Sequence, residues 1–182
     1  MRRNSFRRVS RCPCAPAILG AILKLYPHEF VAVIAVGAEN HLGEMFGHVI
    51  KRALPLVTVR LVIISSHEIS EIMALPELRE AALFVAMINN LVSSEDDDQE
   101  AARAAFIRRL RAETPALIYL MDGRRAPVFL TAMQMAGADI VVPVLFPLGS
   151  LQAAARDALH RWQSRHEGRR DLQSDPEPPL SP

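Results

Sequence analysis

Histidine, serine and acidic residues that could carry chemistry are concentrated in two short segments of the chain. Ser65-Ser66-His67-Glu68 combines a hydroxyl, an imidazole and a carboxylate, which are the residue types of a hydrolase triad. Adjacent residues on one loop rarely align as nucleophile, base and orienting acid, so we interpret this segment as a polar turn. His41 and His48 could bind a ligand or move a proton, but they also suit the first turn and the apolar edge of a helix.

Metal, nucleotide and redox patterns are not found in the sequence. Cys12 and Cys14 are the only cysteines, too few for a zinc site and too close together for an ordinary disulfide. The acidic run Asp96-Asp97-Asp98 is typical of a solvated loop. Gly37 is followed by Ala38-Glu39 and not by the glycine spacing of a dinucleotide fingerprint. We therefore expect no metal, no cofactor and no enzymatic activity.

Length and composition favour one globular domain. The chain has 182 residues, of which 50% are hydrophobic, and a formal net charge of +1. No run reaches the ~18 to 20 apolar residues of a membrane-spanning helix. We expect a domain over residues 29–166 and a disordered, proline-rich tail over residues 167–182.

The start of the chain is basic, because a set of cations precedes the first acidic residue, Glu29: Arg2, Arg3, Arg7, Arg8, Arg11 and Lys24. An apolar run at 15–23 raises the alternative of a secretion signal, but it is short, contains Pro16 and lacks a following cleavage site. We expect residues 1–28 to be a disordered extension, native or a leader, and the protein to be cytoplasmic.

From Phe30 onward, short apolar runs alternate with segments of helical periodicity. The runs predict strands at 30–36, 57–64, 83–88, 116–121 and 140–144, and the periodic segments predict helices at 42–53, 69–81, 99–111, 127–135 and 150–166. Asn40 and Ser150 are the expected caps of the first and last helices, and Pro76 is expected to break the second.

This alternation predicts an α/β protein with a five-stranded parallel sheet covered on both faces. A flavodoxin-like, doubly wound sheet of strand order 2-1-3-4-5 is the simplest topology. Ligands of such sheets bind at the carboxyl ends of the strands, which directs attention to residues 37–41, 87–90, 121–125 and 144–146.

The chain resembles the receiver domain of bacterial response regulators, the CheY-like family, over residues 30–166. Val36-Gly37-Ala38-Glu39 stands where the family has Val-Asp-Asp-Glu. The segment from Asp139 to Phe146 stands where it has Asp-Asp-Tyr-Leu-Pro-Lys-Pro-Phe. Thr114-Pro115 and Ala136-Gly137-Ala138-Asp139 are further points of resemblance.

Receivers transfer a phosphoryl group to an aspartate after the third strand, with magnesium held by acids after the first. The resemblance places Gly37 and Ala38 at the acidic pair, Met87 at the acceptor and Val144 at the lysine that holds the phosphoryl group. Met121, or its neighbour Leu120 or Asp122, stands at the switch hydroxyl. The resemblance thus implies a degenerate receiver, a pseudo-receiver that acts without phosphorylation.

Receivers often associate through the fourth helix, fifth strand and fifth helix. The corresponding partner surface here is Thr131, Gln134, Arg156, His160 and Trp162. We expect a protein partner or a homodimer at this surface, in signalling or transcriptional regulation, with Trp162 either anchoring the partner or covering the sheet. We expect no direct binding of nucleic acid, because no DNA-binding domain follows His166 in the sequence.

The segment Glu39-Asn40-His41-Leu42-Gly43 supports an alternative function. It is similar to the Asp-x-His-x-x-Gly loop of cobalamin-binding domains, which share this fold type. Glu39 replaces the aspartate, however, and Glu44 occupies the glycine position. The alternative is a domain that binds a small ligand or a cobalamin-like cofactor through Glu39 and His41.

Overall fold

The computed structural model describes residues 29–37, 39–95, 98–123, 127–143 and 148–173. The expected extension over residues 1–28 and the last residues of the expected tail, 174–182, lie outside this range. The acidic run is described only at Asp98.

Five parallel strands form one sheet in the order β2-β1-β3-β4-β5, so the predicted order 2-1-3-4-5 is confirmed. The strands are β1 (Phe30–Ala35), β2 (Val59–Ile64), β3 (Leu83–Met87), β4 (Leu117–Asp122) and β5 (Ile140–Pro143). Every residue of β1, β3 and β4 is buried, as expected for strands covered on both faces.

Five α-helices connect and cover the strands: α1 (Asn40–Ala53), α2 (Ile69–Met73), α3 (Gln99–Glu113), α4 (Pro127–Met135) and α5 (Leu148–Gln173). Short 3-10 turns occupy Pro76–Arg79 and Ile88–Asn90. The first of these begins at Pro76, where the sequence predicts an interruption of the second helix.

The two faces of the sheet carry separate apolar clusters. α1 and α5 cover one face, where Phe46, Ile50 and Leu151 pack on alternate strand residues. α2, α3 and α4 cover the other, which includes Phe106 and Met133. The chain is therefore doubly wound, and the loops after β1, β3 and β4 meet at one edge of the sheet, called here the carboxyl edge.

Two glycines let α1 approach β2 closely. A Cβ atom at Gly43 would lie 2.6 Å from Ile63 Cγ2, and one at Gly47 would lie 2.5 Å from Leu61 Cδ1. Both glycines are buried on the side of α1 that faces the sheet. Larger residues there would hold the helix away from the strand.

The turn from α4 into β5 is fixed by charged hydrogen bonds. Gly137 lies two residues after α4 with φ +115°, a conformation that favours glycine. The Arg111 guanidinium donates to the carbonyl oxygen of Gly137 and to the carboxylate of Asp139. Asp139 also accepts from Ile118 N at 2.8 Å and from Arg161 Nη1 at 2.7 Å. The segment that resembles the receiver family thus has a structural role here.

Several expected boundaries are wrong. α1 begins at Asn40 itself, with Glu39 at the cap position, and α5 begins at Leu148, so Ser150 lies inside the helix. The Ser150 hydroxyl instead lies 2.7 Å from the Tyr119 hydroxyl. Burial raises the pKa of the Tyr119 phenol, and the hydrogen bond to Ser150 offsets this only in part.

The last helix is longer than the sequence predicts. α5 continues to Gln173 instead of ending at about His166, so the first residues of the expected disordered tail are helical. β2 begins at Val59 and not at residue 57. Ala105, expected to face the core from α3, is exposed, and Arg103 is buried in its place.

Candidate functional site at the carboxyl edge

Gly37 follows β1 at the position that the resemblance assigns to an acidic residue. Its φ is +68°, in the left-handed region that glycine adopts readily, asparagine and aspartate adopt occasionally, and other residues rarely adopt. A Cβ atom there would lie 3.3 Å from the Cβ of Asn90 and 3.6 Å from that of His67. An aspartate at this position would therefore bring its Cβ into tight contact with Asn90.

Two methionines occupy the positions assigned to the phosphoryl acceptor and the switch hydroxyl. Met87 ends β3, Met121 lies opposite it in the register of β4, and both side chains are buried. They belong to the apolar cluster beneath α1 and α5. A thioether lacks a nucleophilic oxygen and is a poor ligand for hard cations such as magnesium.

Neutral hydrogen bonds join the loops at the carboxyl edge. The Asn90 side chain donates from Nδ2 to the carbonyl oxygen of Val36, 3.1 Å away, and ties the 3-10 turn after β3 to the end of β1. Asn89 Oδ1 accepts from Gly123 N at 3.1 Å, which ties the same turn to the loop after β4. We call Asn89 and Asn90 the amide latch.

Arg103 supports the amide latch from α3. Its Nε donates to the carbonyl oxygen of Leu91 and its Nη2 to that of Asn89, both at 2.9 Å. The residue is almost fully buried. The sequence could have indicated this buried role, because Arg103 lies one turn before Ile107 on an otherwise apolar helix face. The hydrogen bond from Asn90 could not be predicted from the sequence in this way, since it joins residues far apart in the chain.

Two of the five positions that the resemblance assigns to the phosphorylation site, Ala38 and Val144, lie outside the described residues. Asp122, an alternative to Met121, is buried at the end of β4. Among the residues that the structure describes, no group of three or more histidine, cysteine or acidic side chains is arranged to hold a metal ion.

The polar segment at 65–67, predicted as a turn, is an irregular loop between β2 and α2, and Glu68 forms an isolated parallel bridge with Val92. Ser66 Oγ accepts from Glu68 N at 3.0 Å, and the carbonyl oxygen of His67 accepts from Val92 N at 2.8 Å. The Ser66 hydroxyl therefore stabilises the loop, and the His67 side chain is exposed.

Glu39 and His41, the candidate ligand-binding residues, are both exposed near the start of α1. His48 is also exposed, so the prediction that it packs at the edge of the core is wrong. Binding of a cobalamin-like cofactor through Glu39 and His41 stays a prediction, which the absorbance of purified protein after addition of cobalamin tests.

The candidate partner surface divides into exposed and buried members. Thr131 and Gln134 on α4 and Arg156 and His160 on α5 are exposed. Trp162 is 3% exposed and packs edge to face on Phe30, with ring centroids 6.2 Å apart. Of the two roles expected for Trp162, the structure supports the one in which it covers the sheet.

Sequence reasoning missed the largest exposed apolar side chains near this surface. Val128 is 83% exposed and Met135 is 85% exposed. They lie two turns apart on α4, with Thr131 between them on the same face. Apolar residues at this spacing are typical of a helix face that packs on the core, and only the packing of Phe129 and Met133 reveals which face of α4 is inside.

Comparison with solved structures places this fold among receiver domains. The receiver domain of a DNA-binding response regulator from Colwellia psychrerythraea superposes with a TM-score of 0.56 at 11% identity, covering 72% of this chain and 99% of that one. The non-phosphorylated HemR receiver domain from Leptospira biflexa has a TM-score of 0.52 at 15% identity, with 84% and 100% covered.

A structure described as a pilus assembly protein from Burkholderia thailandensis also matches, with a TM-score of 0.55 at 12% identity, covering 72% of this chain and 99% of that one. No family model and no curated protein sequence matches the chain. The likeness therefore establishes a receiver fold. In the part of the chain that is described, no helix has the length and apolar content to cross a membrane.

Proposed function

We propose that this chain is a phosphorylation-independent pseudo-receiver, a protein-protein interaction module in signalling or transcriptional regulation. The observation that carries the proposal is the amide latch, by which Asn89 and Asn90 join the loops after β1, β3 and β4. The proposal includes a cytoplasmic location and no enzymatic activity.

A receiver that switches needs a gap at the carboxyl edge for an ion and a phosphoryl group. Here the loops are joined by hydrogen bonds that need neither. Gly37 packs against Asn90, where the Cβ of an acidic residue would be in tight contact. Buried Met87 and Met121 contribute apolar contacts in place of a nucleophile and a hydroxyl. These features favour a fold fixed in one state.

Titration with magnesium and beryllofluoride, a phosphoryl mimic, tests the absence of a switch. We expect the melting temperature and the amide NMR spectrum of the full chain to stay unchanged, because no group at Gly37 or Met87 holds the ion or the mimic. A receiver domain that retains its acidic residues is the positive control. Saturable shifts at residues 87–90 would contradict the proposal.

The partner surface that we propose crosses the edge of the sheet at β5. α4 lies on one side of this strand and α5 on the other, and among the described strands β5 pairs with β4 alone. Val128 and Met135 supply apolar area on α4, while Thr131 and Gln134 supply polar contacts. Exposed apolar side chains ringed by polar ones are typical of association surfaces.

Arg156 and His160 extend this surface onto α5, but Trp162 is excluded from it because it is in the core. The anchors are therefore Val128 and Met135. A pilus assembly protein is among the similar structures, so we do not restrict the partner to a DNA-binding regulator, and we propose no direct contact with nucleic acid.

Paired variants test this surface. We expect Val128→Asp and Met135→Asp to weaken capture of the partner from a lysate of the native host by about tenfold or more, since each places a charge where apolar area is buried. Leu56→Asp is the matched control, because Leu56 is also exposed but precedes β2, at the edge of the sheet opposite β5. Capture that is equal for all three variants would place the surface elsewhere.

A further inference from the structure

One exposed face of α1 carries opposite charges at its two ends. Glu44, His48 and Arg52 follow one another at intervals of four residues and so form a stripe along the helix. All three are exposed, while Gly43 and Gly47 occupy the side that faces the sheet. The stripe is acidic near the start of α1 and basic near its end.

The stripe borders an open groove between α1 and the start of α5. The groove has a volume of about 430 Å³. Two apolar side chains that line it, Met45 and Leu148, are 39% and 43% exposed. Exposure of this apolar area to water is unfavourable in free energy, so its burial would favour association. The charge pattern beside it could select the partner.

We propose that two copies of this chain associate through this face, with their α1 helices antiparallel across a twofold axis beside His48. Residues equally spaced on either side of His48 then meet, so Glu44 of each copy faces Arg52 of the other. A twofold interface forms both ion pairs at once, because each copy contributes the same patch.

The charge pattern distinguishes this arrangement from its alternatives. Parallel α1 helices would set Glu44 against Glu44 and Arg52 against Arg52, which is repulsive. In the antiparallel arrangement the acidic end of each stripe faces the basic end of the other. A second copy of the same chain is therefore a complementary partner. Met45 and Leu148 supply the apolar contacts beside the ion pairs. The α1 residues of this interface are distinct from Val128 and Met135, the anchors of the β5 surface, and the interface does not depend on the loss of phosphorylation.

Charge reversal on the full chain tests the pairing. Glu44→Arg and Arg52→Glu each create two like-charge pairs in a homodimer, so we expect each variant to dimerise at least about tenfold more weakly than the wild type. An equimolar mixture of the two variants restores both opposite-charge pairs, and we expect a heterodimer. The double variant Glu44→Arg/Arg52→Glu should also regain the dimer. Sedimentation equilibrium over a range of concentrations measures all four.

Glu71→Arg and Arg108→Glu are the matched controls, since both residues are exposed on other helices. They should leave association unchanged, and circular dichroism should find every variant folded. A wild-type chain that stays monomeric, or a dimer insensitive to Glu44→Arg and Arg52→Glu, would overturn the proposal. A mixture of the single variants that remains monomeric would overturn the antiparallel pairing. A dimer lost only in Val128→Asp or Met135→Asp would assign self-association to the β5 surface and leave the proposed function standing.

Discussion

Gly37 and Asn90 constrain one another at the carboxyl edge. The left-handed backbone at Gly37 leaves the carbonyl oxygen of Val36 free to accept from the Asn90 amide, and the Cβ of Asn90 fills the space beside the glycine. A side chain at position 37 would disturb both features. The glycine at position 37 and the amide latch are thus parts of one local structure.

We expect Gly37→Ala to lower the free energy of unfolding by about 1 to 2 kcal/mol, because alanine tolerates a φ of +68° poorly. Gly37→Asn should cost less, since asparagine adopts this conformation more readily. Gly149→Ala is the control: it lies in α5, an added Cβ meets nothing within 4 Å, and a gain of up to about 1 kcal/mol is expected. Urea denaturation measures the free energy of unfolding of each variant. Equal changes for Gly37→Ala and Gly149→Ala would contradict this account.

Asp139 makes stability depend on pH. Burial raises the pKa of its carboxyl, but the hydrogen bonds from Ile118 N, Arg161 and Arg111 outweigh burial and hold the pKa below its ordinary value. A lowered pKa stabilises the fold above the ordinary pKa of aspartate, about 4, and this contribution is lost as the pH falls through the folded-state pKa.

We therefore expect Asp139→Asn to lower the free energy of unfolding by about 1 to 3 kcal/mol at pH 7. The difference from the wild type should narrow as the pH falls below about 4. Urea denaturation at pH 7 and pH 3 measures both. The control is Asp157→Asn, at an exposed position of α5, which should change stability by less than about 0.5 kcal/mol. A difference that stays constant with pH would mean that the Asp139 charge is unimportant.

At the scale of elements, the approach of α1 to β2 depends on its two glycines unequally. Gly43→Ala would place a Cβ 2.6 Å from Ile63 Cγ2 and 3.3 Å from Val36 Cγ2, and β-branched side chains move little. We expect a net loss of about 1 to 3 kcal/mol. Gly47→Ala meets the end of the more flexible Leu61, so the gain in helix propensity, about 1 kcal/mol, should offset most of its cost. Thermal unfolding of both variants measures the difference, and equal losses would contradict it.

Most elements could be predicted because their patterns are local. The buried strands are continuous apolar runs, and the helices repeat at helical spacing, so element order and sheet topology follow. Helix ends were predicted less well, since they depend on contacts made after folding. Ser150 illustrates this: its hydroxyl pairs with Tyr119 across the molecule instead of capping α5.

At the candidate site, the sequence could predict only which chemical groups of a receiver are missing. The sequence places Gly37 and Met87 where acidic residues were expected, but it does not reveal what fills the space. The contact from Asn90 to Val36 spans more than fifty positions of the chain. The burial of Trp162 likewise depends on Phe30, which only the folded sheet brings beside α5.

At the scale of the whole molecule, the receiver fold is retained at 11% to 15% identity to the structures compared above. This is physically reasonable, because the fold depends on apolar strands and on helix faces, not on the charged residues at the carboxyl edge. The residues at the carboxyl edge can therefore differ without loss of the fold. The association surfaces that we propose on α4, β5 and α1 do not depend on those residues.

Incubation of the full chain with acetyl phosphate and magnesium, followed by intact-mass measurement, tests the central claim most directly. Because Gly37 and Met87 offer neither an ion cage nor a nucleophile, we predict no mass increase under conditions that fully modify an authentic receiver domain. A gain of one phosphoryl group that maps to the loop after β3 would contradict the account.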